Sequence, residues 1–282
     1  MTLDSQIVTD SAEMAGPEDR SAIIRERLIS SSDLLDKEFD DPNYIVPGII
    51  SEGLTILAGA PKVGKSWLIL SLASDVSLGN KVLGAIDVPQ ARTLYLSLED
   101  SNRRLFERLV ALDATPSDKF EMAITWPRGE EGLADLQHYL QTNPETKLVV
   151  IDTLARFWQK ESNQNTYQSE YELTGQIKQL ADEAEVGIVL LHHTRKMGSD
   201  DFVDKVSGTS AIAGSADTTL VLERPRNNEN GLLYVTGRDI EEQELSVSFD
   251  LPSGWTLSGD GAVKLSSPER EDVYNLLLVF QN

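Results

Sequence analysis

Short apolar runs and segments of helical period alternate through the middle of the chain. Residues 54–58 (LTILA) form an unbroken apolar run and predict a buried strand; residues 65–78 predict a helix packed on both sides. The order then repeats. Strand 92–98 precedes helix 102–112, a short strand near 122–125 precedes helix 133–141, and strand 148–151 precedes a long helix over roughly 168–185. Strand 188–191 closes the series. This alternation predicts an α/β fold with a mainly parallel sheet flanked by helices. Right-handed crossovers place the loops that follow the strands along one edge. After residue 215 the helices stop. Residues 217–223, 232–236 and 243–249 read as strands, with Leu245, Val247 and Phe249 alternating with polar positions and a turn cluster at Asn227-Asn228-Glu229-Asn230-Gly231. An antiparallel β extension is therefore expected at the C-terminal side.

The ends differ from this core, expected over 43–258. Residues 1–42 are polar and acidic, with one amphipathic piece near 22–35, and read as a largely loose arm. Residues 259–282 contain a good helix start, Ser267-Pro268-Glu269, followed by Val273, Leu276, Leu277 and Phe280 at helical spacing. Two readings stay open: a short helix docked on the core, or the first helix of a truncated small domain of winged-helix-like type.

Charge and composition narrow the function classes. The formal net charge is −21, of which the first 42 residues carry −7, so nucleic-acid contact has to come from particular loops and not from a basic surface field. There is no cysteine, which removes disulfides and thiolate metal sites. No segment approaches a membrane span, and the N-terminus lacks the basic and apolar regions of a secretory signal. A cytoplasmic chain without membrane partners is the expectation.

The strand 54–58 runs into Gly59-Ala60-Pro61-Lys62-Val63-Gly64-Lys65-Ser66-Trp67, a G-x-x-x-x-G-K-S loop at the start of a helix. Strand, glycine loop and helix in this order form an anion cradle: backbone N–H groups and the positive helix end face the phosphates. Lys65 is expected on the β- and γ-phosphates of ATP, and Ser66 on Mg2+. Hydrolysis needs further groups. Asp152 ends the apolar run 148–151 and is expected to reach the metal through water. Glu99 ends strand 92–98 and is the candidate base, placed about one strand from the loop, with Asp100 as fallback. His192 and His193 follow strand 188–191 and can contact a γ-phosphate. Residues 194–207 form a long polar loop in which Arg195, Lys196 and Lys205 could meet a nucleic-acid backbone and Phe202 could stack on a base.

Taken together, GAPKVGKS, LSLED, LVVIDTLARFW, LLHHTRK and VSGTSAIAGSADTTLVLER resemble the RecA-like ATPases of the plasmid replicative helicase RepA type, within a wider group that includes DnaB-type helicases and KaiC-like proteins. The resemblance covers roughly residues 44–250. It implies Lys65 and Ser66 as P-loop lysine and magnesium ligand, Glu99 as catalytic glutamate, Asp152 as the Walker B acid, and His193, with His192 adjacent, as γ-phosphate sensor. It also implies a homo-oligomer, by resemblance a hexameric ring, with residues 194–207 facing single-stranded DNA in its channel. In one respect the chain departs. The place of the family's arginine finger, shortly after the equivalent of Gly208-Thr209-Ser210, corresponds to Asp217 here. Arg238, after a late strand, is the candidate trans-acting arginine, with Arg224 and Arg226 as fallbacks. Three functions remain open: a DNA-linked motor, a switch acting on protein partners, and a recombinase or its loader.

Overall fold

A computed structural model describes residues 24–25, 27–38, 43–158, 166–193 and 214–259, with the backbone alone at 166–170. The loop 194–207 and the segment 267–280 singled out above lie outside the described residues. The chain divides into two units, Met1–Asp41 and Pro42–Asn282. In the first, Ser31–Leu35 forms a short helix, α1, started by the Ser30 hydroxyl accepting from Asp33 N–H at 3.0 Å. Ile24, Leu28, Ile29, Leu34 and Leu35 are all exposed.

The second unit opens with a hairpin, β1 (Tyr44–Val46) and β2 (Ile50–Ser51), turned at Pro47-Gly48. A nine-stranded sheet follows. Its parallel strands are β3 (Gly53–Gly59), β6 (Arg92–Ser97), β7 (Phe120–Ala123), β8 (Thr146–Asp152), β9 (Gly187–His193) and β10 (Thr218–Glu223). A second small hairpin, β4 (Lys81–Val82) with β5 (Ile86–Asp87), stands apart. β11 (Asn230–Gly237), β12 (Gln243–Asp250) and β13 (Gly254–Leu257) extend the sheet as an antiparallel meander from β10, giving the order β13-β12-β11-β10-β3-β9-β8-β6-β7. The expected fold class is what is found, with β13 an additional strand that four residues between Gly254 and Leu257 are too few to announce by period.

Helices α2 (Lys65–Leu78) and α3 (Asn102–Ala111) cover one face; α4 (Gly129–Thr142), α5 (Leu154–Phe157) and α6 (Thr166–Ala184) cover the other. Alternation along each strand feeds the two cores: Leu57, Tyr95, Val150 and Leu191 point toward α2, whereas Ile56, Leu96, Ile151 and Leu190 point toward α6. α2 has no polar face because it is enclosed twice. The sheet lies on one side, and β13 with the β4–β5 hairpin on the other, so Leu68, Ile69, Leu70, Leu72, Ala73 and Val76 are all buried. At roughly 1.5–3 kcal/mol for each large side chain, this burial outweighs any preference of α2 for water.

One expectation about the sheet is corrected. Glu99 was expected one strand from the P-loop, but β9 and β8 both lie between β3 and β6. The distance is bridged by α2, which packs on β6 and β8 as well as β3, Thr93 Oγ1 donating to Ala73 O at 3.3 Å. Strand order is set by which long crossovers fit, and a linear pattern does not encode it.

Candidate active site

β3 delivers the glycine loop to the C-terminal edge of the parallel strands. The loop turns into α2 through Gly64, whose φ of 112° lies in the region that glycine alone enters readily. A Cβ there would also stand 2.9 Å from the Trp255 ring. No side chain caps the first turn of α2, so its amides face the cleft. Lys65 is buried. Its Nζ donates to Gly59 O at 2.7 Å and Ala60 O at 3.1 Å, and lies 3.1 Å from His193 Nδ1. Burial lowers the lysine pKa to about 8; the charges of Asp152 and Glu99 oppose the shift without cancelling it.

Asp152, at the end of β8, is 3 % exposed. It accepts from Tyr95 Oη at 2.9 Å, a neighbour on β6 whose strand aligns Ser97 with Asp152. Burial raises the carboxyl pKa, and the hydroxyls of Ser66 and Tyr95 pull it back. Ser66 and Asp152 thus meet at one place. A buried carboxylate and a serine hydroxyl beside an amide-rich loop form a hard oxygen donor set that fits magnesium carried in on a triphosphate.

Glu99 follows β6. Its Oε1 accepts from Thr153 Oγ1 at 2.8 Å, and its Oε2 lies 4.0 Å from His193 Nε2. His193 therefore stands between Lys65 and Glu99. Burial and the Lys65 charge lower its pKa, so at neutral pH the ring is uncharged and Nδ1 can accept from the lysine. The structure brings together Lys65, Ser66, Glu99, Asp152 and His193, and leaves three other candidates, His192, Asp100 and Arg238, out of this cluster. His192 alternates to the far face of the sheet, is pushed down to about 4 by burial, and has no partner for Nε2 among the described residues. Asp100, the fallback base, is held by Arg104 at 2.8 Å and Arg108 at 2.5 Å, so its two oxygens anchor α3 instead. Arg238 follows β11, which runs back from the site, and therefore sits at the opposite edge with its guanidinium 3.7 Å from Asp217.

The cleft beside the loop encloses about 300 Å³ and is lined by Lys62, Gly64, Lys65, Ser66, Trp67, Arg108, His193, Arg224 and Phe249. Its side wall is aromatic. Trp67 meets Phe249 edge-on at 5.6 Å, and Phe249 meets Trp255 at 5.5 Å. Arg224 lies 5.4 Å and 5.2 Å from the Phe249 and Trp255 rings, and Arg108 lies 5.6 Å from Trp67. Trp255 Nε1 donates to Gly64 O at 3.2 Å, tying the meander to the P-loop. Flat rings and guanidinium planes next to a phosphate cradle suit a nucleobase. The sequence reading missed Phe249 and Arg108 as cleft residues, and Trp255 as the buried ring behind them; alternation marked Phe249 as inward-facing, but nothing local pointed it at the loop.

A protein-family model described as an AAA domain matches residues 19–199, more than half of the chain. The chain belongs to this AAA-domain family. Curated relatives of this AAA-domain protein include the DNA repair protein RadA of Helicobacter pylori, 24 % identical over 189 residues that cover 66 % of the chain and 37 % of the relative. RadA of Halalkalibacterium halodurans is 25 % identical over 239 residues, covering 80 % and 44 %. The chain thus spans less than half the length of these relatives. Among solved structures, an isolated ATPase domain superposes with a TM-score of 0.62 at 12 % identity, covering 87 % of this chain and all of that one. A DnaB-like replicative helicase superposes with the same TM-score and identity, covering 89 % and 74 %. These likenesses show the fold, that of a RecA-like ATPase domain. With its P-loop intact, the AAA-domain protein is an ATP-binding P-loop ATPase. No helix among the described residues is long and apolar enough to cross a membrane.

Proposed function

We propose that this chain is the magnesium-dependent ATPase of an oligomeric motor of the RepA helicase type, acting on single-stranded DNA in the replication of a mobile element. In this reading the ATPase core is residues 43–258, preceded by an acidic arm. The observation that carries the reading is the convergence of Lys65, His193, Glu99 and Asp152 on one end of the P-loop. The loop amides and Lys65 bind the triphosphate and stabilise charge on the γ-phosphoryl oxygens. Glu99 orients a water and takes its proton as the water oxygen bonds to the γ-phosphorus; the bond to the β-phosphate oxygen breaks, leaving ADP and phosphate. Ser66 and Asp152 would hold magnesium, which when bound offsets phosphate charge. His193, between Lys65 and Glu99, senses whether the γ-phosphate is there. Arg238 serves a neighbouring subunit; its weakly held, 59 % exposed guanidinium supports that use.

The fold likeness to helicase ATPase domains and the RadA relatives favour a DNA-linked role. The net charge of −21 and the RadA relatives together leave an alternative: a recombination-associated ATPase that switches protein partners without unwinding. ATP hydrolysis measured with and without a single-stranded oligonucleotide, across a salt series, separates the two. The motor reading predicts stimulation that fades with salt. Hydrolysis that ignores DNA at every salt concentration would overturn it.

A further inference from the structure

Two carboxylates at this site each carry a dedicated hydroxyl. Asp152 has Tyr95 at 2.9 Å, and Glu99 has Thr153 at 2.8 Å. Thr153 is the residue before α5, a position where a threonine hydroxyl ordinarily accepts from the helix's first amides. Here it makes no such bond. The Thr153 carbonyl accepts the first helical bonds, from the Arg156 and Phe157 amides at 2.9 and 3.1 Å, as a residue at this position does. The hydroxyl, on a residue 2 % exposed, donates sideways to Glu99 Oε1. The ladder makes the meeting possible. Ser97 pairs with Asp152, and Leu98 N–H donates to Asp152 O at 2.7 Å, so β6 and β8 leave the sheet side by side.

We infer that Thr153 is a positioning residue for hydrolysis: its hydroxyl holds Glu99 by one oxygen, so that the other faces His193 and the γ-phosphate side of the cleft. The inference rests on the reading of Glu99 as base. The Glu99 side chain is 40 % exposed, and none of its hydrogen bonds to other side chains comes from a group besides Thr153 among those described. Without that donor a long, flexible carboxylate divides its time among several rotamers, and only some of them aim a water along the line of attack. The loss falls on the chemical step and leaves ATP binding, which the loop amides and Lys65 govern, where it was.

The test compares Thr153→Val, which keeps the shape and removes the donor, with Thr153→Ser, which keeps the donor, in the full chain. Thr153→Val should bind a non-hydrolysable ATP analogue within about twofold of wild type and lose about tenfold in kcat; Thr153→Ser should keep kcat within about threefold. In single turnover, Glu99→Gln/Thr153→Val should be no slower than Glu99→Gln alone, because the hydroxyl acts through the carboxylate. A wild-type kcat for Thr153→Val, equal losses in the valine and serine variants, or a further loss on top of Glu99→Gln would each overturn the inference. Failure of the underlying reading looks different: Glu99→Gln itself would turn over normally. Should Thr153→Val not fold, the serine variant and Thr153→Ala in the double-variant comparison carry the same decision.

Discussion

Two lysines at opposite ends of the parallel strands show what separates a working charge from a structural one. Lys65, at the C-terminal edge, is buried against two carbonyls and an imidazole, and no carboxylate among the described residues touches it. Burial wins there and lowers its pKa to about 8. Lys178, near the end of α6, is also partly buried, and burial again pushes its pKa down. Direct contacts to Asp217 at 2.6 and 2.7 Å and to Asp182 at 3.3 Å outweigh this and raise it. Asp217 is filled as well: it accepts from Leu54 N–H at 2.9 Å and approaches Arg238. Gly53 is needed so that this carboxylate can lie against the backbone, since a Cβ would collide with Asp217 Oδ2. At the structural end Lys178, Asp182, Asp217 and Arg238 each meet an opposite charge. At the P-loop the positive charge is desolvated and left to neutral acceptors, which a phosphate oxygen can replace at a net gain.

The sharpest way to break this contrast is Lys65→Ala. It should cost about a thousandfold in kcat/KM for ATP and leave the melting temperature near wild type. A large fall in stability would make Lys65 a structural lysine like Lys178. Asp217→Ala should do the reverse. It strands a partly buried ammonium and the Leu54 amide, so thermal unfolding should reveal a loss of about 3 kcal/mol, with affinity for ATP within a few-fold of wild type. pH gives the next test. The triphosphate binds the ammonium form of Lys65, whose pKa in the free protein is lowered to about 8. Affinity is therefore nearly full a unit below pH 8 and weakens as pH rises through it, by about fivefold between pH 8 and pH 9 by linkage. A flat binding profile to pH 9 would mean that Lys65 is not the desolvated group described. Trp255→Phe keeps the ring stack and removes the bond to Gly64 O; a loss of about 1 kcal/mol in ATP affinity is expected by titration. The smallest effect belongs to Arg238→Ala, whose exposed pair should change stability by less than about 1 kcal/mol. Assemblies mixed with wild type should nevertheless hydrolyse less ATP if Arg238 acts in trans.

The P-loop end was legible where chemistry sits in one contiguous stretch. The loop from Gly59 to Ser66 must be local, because successive amides wrap one anion, and Asp152 was marked by the apolar run that it ends. Glu99 and His193 were legible as strand-end polar residues, but their meeting depends on β9 and β8 lying between β3 and β6, which only tertiary packing sets. Period alone separated His193 from His192 once the facing cores were known. Trp255 escaped notice because its effect on Gly64 crosses 191 positions of sequence. Asp217 looked like a missing arginine finger. The structure gives it a separate reason to be acidic: its contacts with Lys178 and Leu54 N–H.

The most direct measurement is ATP binding and steady-state turnover by Glu99→Gln, determined on the same preparation. Binding within a few-fold of wild type together with a loss of at least about a hundredfold in kcat is expected, because the cradle stays whole while the proton acceptor is gone. Turnover at the wild-type rate would contradict the assignment of Glu99 and, with it, the proposed chemistry of this edge of the sheet.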